Sequence, residues 1–324
     1  MADNTFIIQS SPHFKDKDSV PKIMYAVIAS LVPATLTSLY FFRFKVLVML
    51  LSCVAACLAT ETLFLWLRKK PLHSLCDGSA IITGILLAMT LPPSLSLELA
   101  VIGAVVAIAI GKQAFGGLGH NIFNPALVGR AFLQTAFPVA MTTWIPPVTL
   151  KINTATFATP LGNLKFQEAL AQGTLTPIKD LFWGNIGGCL GETSAFALIL
   201  GGLYLLSRRV IDWRIPLGIL LSLTAFTGIF WLANPEKYAS PLFHILAGGL
   251  LIGAFFMATD LVSSPITPLG TWIYALGIGV IVGLIRLFGG FAEGVMYSIL
   301  FMNAFVPLLN RYSRPRILGE RRKG

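Results

Sequence analysis

Two polar segments of this chain combine residue types that suit ligand binding. The first is Gly116-Gly117-x-Gly119-x-Asn121-x-x-Asn124-Pro125. Glycines let a backbone approach a ligand closely, and each Asn amide offers a donor and an acceptor to a heterocyclic edge that alternates C=O and N–H groups. The spacing alone favours a simpler interpretation, in which Asn124 caps a helix that begins at Pro125.

The second segment is rich in threonine and reads Thr154-Ala155-Thr156-Phe157-Ala158-Thr159-Pro160-Leu161-Gly162. A threonine hydroxyl is a weak nucleophile unless a neighbouring group activates it. The residue types of this segment therefore predict no chemistry by themselves. It stands out because it lies in the longest polar interruption of an otherwise apolar chain.

Gly191-Glu192-Thr193-Ser194-Ala195 precedes another apolar run. The hydroxyls of Thr193 and Ser194 can bind a ligand, and Glu192 can stabilise the N-terminus of a helix. Ordinary chemistry at a helix start explains the same residues, so both interpretations stay open.

Three ionisable residues lie in or beside apolar stretches. Asp260 and Glu293 are candidates for an ion path, because acidic groups in membrane segments often mark such paths; a charge at the water interface is the alternative for each. Arg130 needs a partner or a functional reason in its apolar surroundings. The four cysteines and four histidines form no ligand-spaced cluster, so no metal site is predicted.

The composition is that of a membrane protein. Hydrophobic residues make up 55% of the 324 residues and charged residues 12%, whereas soluble domains are about a quarter charged. We predict an all-α integral membrane protein with about ten transmembrane helices, from apolar runs that match the bilayer core. The predicted spans are Ile23–Phe42, Val46–Leu67, Ser79–Leu97, Leu99–Ile110, Pro125–Ile145, Ile186–Leu206, Ile215–Ala233, Pro241–Thr259, Pro268–Ile285 and Phe291–Leu309.

The net charge of +10 follows from basic residues at the ends of these spans and does not indicate a nucleic-acid partner. With both termini in the cytoplasm, 16 of the 24 Lys and Arg residues face the cytoplasm, seven face outward and one lies within a span. This bias sets the orientation. The resulting divisions are a cytoplasmic segment 1–22, five-helix halves 23–145 and 186–310, an extracytoplasmic loop 146–185 and a basic cytoplasmic tail 311–324.

An odd number of helices in each half makes any internal repeat inverted. Two sequence echoes indicate such a repeat. Met89-Thr90-Leu91-Pro92-Pro93 is echoed by Met257-Ala258-Thr259-Asp260, and Phe115-Gly116-Gly117 by Phe288-Gly289-Gly290. Chance recurrence of Gly and Pro at helix ends is the alternative. Inverted repeats place ligand sites near their interface, at broken helices.

The segment from Asn124 to Phe132, the Thr-rich loop and Gly191-Glu192-Thr193-Ser194-Ala195 together resemble the membrane flavoprotein family of RnfD and NqrB. The resemblance extends from Ser11-Pro12-His13 to Arg311-Tyr312-Ser313-Arg314-Pro315-Arg316, and both ends are more similar to RnfD than to NqrB. It implies a subunit of an ion-pumping complex in the bacterial cytoplasmic membrane, with RnfA, RnfB, RnfC, RnfE and RnfG as partners. Na⁺ or H⁺ transport is coupled to the redox chemistry of ferredoxin and NAD.

The same resemblance implies two flavins. The final Thr of the family pattern S/T-x-A-T-x-L, here Thr159, carries FMN through a phosphodiester. Many members have Gly where this chain has Phe157, and Thr156 and Thr154 are the alternatives. A non-covalent riboflavin is implied at Asn121 and Asn124. The further candidate contacts are Gly119 and Arg130 for riboflavin, and Glu192, Thr193 and Ser194 for FMN.

Three alternatives to an RnfD-type subunit stay open. They are an NqrB-like subunit of a Na⁺-translocating NADH:quinone reductase, a solute or ion channel, and a scaffold without a flavin. Inverted five-helix halves also suit a pore. The chain has no G-x-G-x-x-G segment after a strand, so direct hydride transfer from NAD is not expected, and no catalytic residue is predicted.

Overall fold

A computed structural model describes the backbone of residues 19–147, 158–166, 169–170 and 172–314, and the side chains of these residues apart from 72–74. Within this part of the chain the structure is helical, without a β-strand. The α-helices are α1 (Val20–Phe42), α2 (Phe44–Leu67), α3 (Ser79–Met89), α4 (Leu97–Ile108), α5 (Pro125–Ala136), α6 (Pro138–Thr142), α7 (Pro160–Phe166), α8 (Ile178–Trp183), α9 (Ala195–Ser207), α10 (Arg214–Ala233), α11 (Pro241–Leu246), α12 (Leu250–Ile252), α13 (Pro268–Phe288) and α14 (Val295–Tyr312).

Four of these helices are long and apolar enough to cross a membrane. They are α1, α2, α10 and α13, with 23, 24, 20 and 21 residues. A helix of about 20 residues spans the hydrocarbon core of a bilayer. The predicted all-α membrane fold is confirmed, and these four spans are found close to their predicted bounds.

Several other predicted spans have wrong bounds. The span predicted over Ser79–Leu97 ends at Met89, ahead of Pro92 and Pro93. The span predicted over Pro125–Ile145 is interrupted at Phe137, where Pro138 follows and cannot donate the backbone hydrogen bond that would continue the helix.

The second half contains similar interruptions. The span predicted over Ile186–Leu206 becomes α-helical only at Ala195, and the one over Phe291–Leu309 only at Val295. The span predicted over Pro241–Thr259 is divided into α11 and α12 around Gly248, whose φ of +70° is incompatible with a right-handed helix.

Two helices continue into π-helical turns. α4 extends through Ala109–Gln113 and α12 through Gly253–Met257. The fourth predicted span, Leu99–Ile110, is therefore longer than expected. A π turn inserts one extra residue into a helix and often lies at a functional site.

The described helices follow the same order in both halves. α2 packs against α4 and α4 against α5; correspondingly, α10 packs against α13 and α13 against α14. Met89 ends α3, and Met257 ends the π turn after α12. Phe115 follows the π turn of α4, and Phe288 ends α13. Both sequence echoes thus fall on corresponding elements, which supports the predicted repeat.

A buried cation also holds the short third element of each half. Lys112 Nζ, beyond α4, donates to Ser79 Oγ at the start of α3, 2.6 Å away. Arg286 Nη2, in the last turn of α13, donates to Ala247 O between α11 and α12, 3.1 Å away. The first contact fixes the start of α3, and the second fixes the break between α11 and α12.

Close helix contact joins the two halves at Gly201 of α9. A Cβ at Gly201 would overlap the carbonyl oxygen of Ser30 in α1. We expect Gly201→Ala to lower the free energy of unfolding by about 1–3 kcal/mol, the usual cost of overpacking, and to lower the Tm of the purified protein. Gly228→Ala in α10 is the control, because its Cβ would meet only Pro241 Cγ at 3.6 Å. Equal Tm values for the two variants would contradict this packing.

Candidate functional site

A cavity of about 480 Å³ lies beside Thr159 and is called the Thr159 cavity. Cofactor sites usually measure about 300–1,000 Å³, so its size suits a cofactor. α5, α7, the segment before α9 and the turn between α13 and α14 surround it. The lining residues that carry charge, hydroxyl groups or large rings are Arg130, Thr142, Trp144, Thr159, Phe166, Glu192, Phe291, Glu293 and Tyr297.

Thr159 is half-buried and directly precedes α7. Its Oγ1 accepts a hydrogen bond from the Gly162 N–H at 3.0 Å. The hydroxyl therefore has a fixed position at the cavity wall. Thr154, Thr156 and Phe157, which bear on the alternative attachment sites, lie outside the described residues.

Lys165 attaches α7 to the rest of the protein. Its Nζ donates to the carbonyl oxygens of Ile285, Arg286 and Phe291 at 2.9, 3.1 and 2.9 Å. Partial burial lowers the pKa of Lys165 from its ordinary value. This anchor holds the Thr159 segment against the turn between α13 and α14.

Arg130 joins two carboxyl groups at the Thr159 cavity. Its Nη1 lies 3.7 Å from Glu192 Oε1, and its Nη2 lies 3.4 Å from Glu293 Oε2. The structure thus brings together three predicted site residues that are far apart in the sequence. Glu293, predicted as an ion-path candidate, and Glu192 share one site with Thr159.

Arg130 does not lie with the asparagines with which the sequence grouped it. It lines the Thr159 cavity, whereas Asn121 and Asn124 line a different one. Six residues along an α-helix amount to about 9 Å, so α5 separates Asn124 at its start from Arg130 in its middle. Closeness in the sequence thus does not place Arg130 beside the asparagines in the structure.

Thr193 and Ser194 do not line the Thr159 cavity. Thr193 Oγ1 donates to Leu190 O at 3.4 Å, and Ser194 Oγ accepts from Ala197 N–H at 3.3 Å as the N-cap of α9. Ser194 thus has the helix-start role that was one of the two open interpretations, and the Thr193 hydroxyl is bonded within the turn before α9. Of the predicted triplet, Glu192 alone faces the cavity.

Asn121 and Asn124 line a second, smaller cavity of about 80 Å³, called the Asn121 cavity. Asn124 Oδ1 accepts from Ala126 N–H at 3.0 Å, which confirms Asn124 as the N-cap of α5. Asn124 Nδ2 donates to Met257 O at 3.1 Å, and Asn121 Nδ2 donates to Phe123 O at 3.1 Å. Both amides thus have protein partners.

Gly119 is not among the residues that line the Asn121 cavity, although its neighbour Leu118 is. It is exposed and has a φ of +89°, a backbone conformation that favours glycine. A Cβ at this position would meet no atom within 4 Å. The positive φ of this turn is sufficient to favour glycine at this position.

Asp260 lies at the Asn121 cavity, beyond the π turn of α12. Its Oδ2 accepts from Ser263 Oγ at 2.8 Å. The two ion-path candidates, Asp260 and Glu293, therefore belong to different cavities.

A buried ion pair that sequence reasoning missed connects α2 with the π turn of α4. Lys112 Nζ lies 2.6 Å from Glu61 Oε1, and both side chains are nearly inaccessible. Lys112 was counted among the basic residues at the cytoplasmic ends of the predicted spans, but the π turn leaves it beside α2. A lone Glu within an apolar span was the available signal, because such a group needs a partner.

Lys112 also lines the Asn121 cavity. On the other side of the pair, Glu61 lines a third cavity of about 410 Å³ together with Lys70, Asp77 and His120. The ion pair thus separates the two cavities. Among the described residues no group of three or more His, Cys, Asp or Glu side chains has the geometry of a metal site.

Comparison with known proteins identifies the family. The model of the NQR2, RnfD, RnfE family matches residues 7–319. The chain belongs to this family. The predicted resemblance to RnfD and NqrB is confirmed.

Similar members of the NQR2, RnfD, RnfE family match over nearly their full length. The chain is 44% identical to the D-type subunit of the proton-translocating ferredoxin:NAD(+) oxidoreductase complex of Clostridium ljungdahlii, with 98% of each chain covered. It is 45% identical to the Na(+)-translocating counterpart of Acetobacterium woodii, with 96% of this chain and 95% of the relative covered. It is 41% identical to the D-type subunit of the ion-translocating oxidoreductase complex of Stutzerimonas stutzeri, over 95% of this chain and 94% of the relative.

Proposed function

We propose that the chain is the D-type subunit of an Rnf-type complex, in which flavin-mediated electron transfer is coupled to translocation of Na⁺ or H⁺. The names of similar relatives supply ferredoxin and NAD as the complex's redox substrates. The chain is one subunit of this oxidoreductase and translocase. The observation that carries its own role is the convergence of Thr159, Arg130 and two carboxyl groups on one cofactor-sized cavity.

The described residues of the Thr159 cavity fit a covalent FMN. Arg130 Nε is buried and has no hydrogen-bond partner among the described residues, so a guanidinium donor is available for a phosphodiester or a flavin carbonyl. Phe291 and Tyr297, with ring centroids 5.2 Å apart, form an aromatic wall. FMN bound here supplies one- and two-electron redox chemistry.

The chain's residues have distinct roles in this proposal. Thr159 Oγ1 would hold the cofactor through an ester bond to its phosphate. Lys165 holds the attachment segment in place. Arg130 supplies a positive charge for the phosphodiester. The attraction between the two charges is stronger where water is excluded.

We place the second flavin, riboflavin, at Asn121 and Asn124. The Asn121 cavity brings both amides beside Asp260 and the end of α12. Its volume of about 80 Å³ is smaller than the cofactor range of about 300–1,000 Å³. Riboflavin binding therefore requires this cavity to open, with Asn121 exchanging its contact to Phe123 O for a contact to the ring.

Electrons are proposed to reach FMN at Thr159 from a flavin-bearing partner and then pass to riboflavin. The partners are the other Rnf subunits, RnfA, RnfB, RnfC, RnfE and RnfG. The chain lies in the bacterial cytoplasmic membrane with both termini in the cytoplasm. The Thr159 cavity then faces outward and the Asn121 cavity faces the cytoplasm. Asp260 is proposed to lie on the ion path.

The experiment that tests this function is in-gel fluorescence of the denatured protein. A covalent flavin survives denaturation, so we expect a fluorescent band at the mass of this chain. A channel or a flavin-free scaffold gives no such band. An unfluorescent band from a fully assembled complex would contradict the proposal.

The proposed orientation can be tested with one native cysteine as an internal control. Cys76 is the exposed one of the four cysteines and lies between α2 and α3, on the proposed cytoplasmic side. Lys179 in α8 is exposed and belongs to loop 146–185. In right-side-out vesicles, we expect an impermeant thiol reagent to label Lys179→Cys in a Cys76→Ser background without permeabilisation. Native Cys76 should react only after permeabilisation, and the opposite pattern would invert the orientation.

A further inference from the structure

Glu192 is a buried carboxyl group at the wall of the Thr159 cavity. Its side chain is 5% exposed, and Oε1 has no hydrogen-bond donor among the described residues. Arg130 Nη1, at 3.7 Å from Oε1, is too distant for a good hydrogen bond. At Oε1, Glu192 therefore interacts with the charge of Arg130 and accepts no hydrogen bond from the described residues.

Glu293 differs from Glu192 in its partners. Glu293 Oε1 accepts from the Gly249 N–H and lies 3.9 Å from Arg286 Nη2, while Oε2 faces Arg130. A Cβ on Gly249 would lie 2.9 Å from an oxygen of each carboxyl group. The two carboxyl groups are thus crowded around one glycine, and Glu293 has the better hydrogen bonding of the two.

The surrounding titratable groups come from several elements. Arg130 Nη2 donates to Cys189 Sγ at 3.6 Å, and Arg286 donates to His244 O and Ala247 O. His244 of α11 is buried. Tyr297 of α14 lines the cavity, and Lys165 of α7 is engaged by three carbonyl oxygens.

Charge balance at this site changes when a reducible, anionic ligand is present. The charges of Arg130 and Arg286 offset those of Glu192 and Glu293. A phosphodiester on Thr159 adds a negative charge, and an electron delivered to the attached flavin adds another. Because charges interact strongly in a water-poor interior, protonation of a nearby carboxylate is favoured. A carboxylate that accepts fewer hydrogen bonds is stabilised less as an anion. Of the two carboxyl groups, Glu192 is therefore the one expected to bind the proton.

We propose that Glu192 binds a proton when the flavin on Thr159 is reduced and releases it on reoxidation. This inference rests on the proposed function, because it needs the flavin at Thr159. The flavin-bearing partner supplies the electron, and a proton from water forms an O–H bond on the carboxylate. Oxidation of the flavin passes the electron to riboflavin and returns the proton to water. Glu192 is thereby a proton-binding site coupled to electron transfer.

The test is a redox titration of the covalent flavin in the purified complex at several pH values, with dithionite as the reductant. One proton bound per electron lowers the midpoint potential by about 59 mV per pH unit. We expect Glu192→Gln to flatten the pH dependence and to raise the potential at high pH, where the wild-type carboxylate must take up a proton. Glu293→Gln should shift the potential and keep the wild-type slope. Glu98→Gln, an exposed carboxyl group at the start of α4, is the control that should change neither.

A second measurement requires no variant. The reduced-minus-oxidised infrared difference spectrum of the wild-type complex should contain a new band from a protonated carboxylic acid. The proposal is overturned if Glu192→Gln retains a fluorescent flavin and the wild-type slope, or if the wild-type spectrum lacks that band. Absence of any covalent flavin from the wild-type chain is a different result, since it removes the proposed function itself and the inference with it.

Discussion

Thr159→Ala should abolish the in-gel flavin fluorescence of this chain. The hydroxyl is the only point of covalent attachment in the proposal, so its removal leaves no ester bond to survive denaturation. We expect complete loss of the fluorescent band, while the amount of chain in the membrane stays at the wild-type level. Fluorescence and immunodetection on the same gel measure both quantities.

Thr142→Ala is the matched control for this experiment. Thr142 lines the same cavity and is exposed, so its removal changes the wall without touching the attachment point. Thr154→Ala and Thr156→Ala examine the two alternative attachment sites. Each of these three variants should keep a fluorescent band. Retention of fluorescence by Thr159→Ala would reject Thr159 as the attachment site. Loss of fluorescence in Thr156→Ala or Thr154→Ala alone would assign the attachment to that residue instead.

Loss of the two amides at the Asn121 cavity should weaken riboflavin binding without affecting the covalent flavin. Each hydrogen bond to the ring contributes about 0.5–1.5 kcal/mol. Removing both should cost about 1–3 kcal/mol, or roughly five- to 150-fold in affinity. Acid extraction of the purified complex, followed by chromatography, measures the riboflavin that remains.

The choice of substitutions must separate ligand binding from helix capping. Asn124→Ala removes the N-cap of α5 and should cost about 0.5–2 kcal/mol of stability. Serine is a comparable N-cap, so Asn121→Ala combined with Asn124→Ser keeps the helix start and removes both ring contacts. Riboflavin recovered at wild-type stoichiometry from this folded double variant would leave Asn124 as a capping residue and remove the second flavin site.

Features that depend on local sequence could be predicted well. Continuous apolar runs located α1, α2, α10 and α13, and Asn124-Pro125 located the capped start of α5. Side-chain chemistry and spacing along one helix determine such features. The breaks within the fifth and eighth predicted spans were missed because Pro138 and Gly248 interrupt helices whose composition remains apolar.

The grouping of residues around the cavities could not be derived in the same way. Arg130 meets Glu293 only because α5 packs beside the turn between α13 and α14, 163 residues further along the chain. Lys112 is buried against Glu61 because a π turn alters the helix phase at its end. Neither long-range packing nor an inserted residue in a helix leaves a periodic signal in the sequence.

Peptide mass mapping of the wild-type chain is the most direct test of FMN attachment at Thr159. After proteolysis of the purified, denatured complex, we expect an FMN adduct on a fragment that contains Thr159, with fragmentation placing the modification on the Thr159 hydroxyl. An unmodified Thr159 fragment at full recovery, or an adduct on any other residue, would contradict the assignment of the Thr159 cavity as the covalent flavin site.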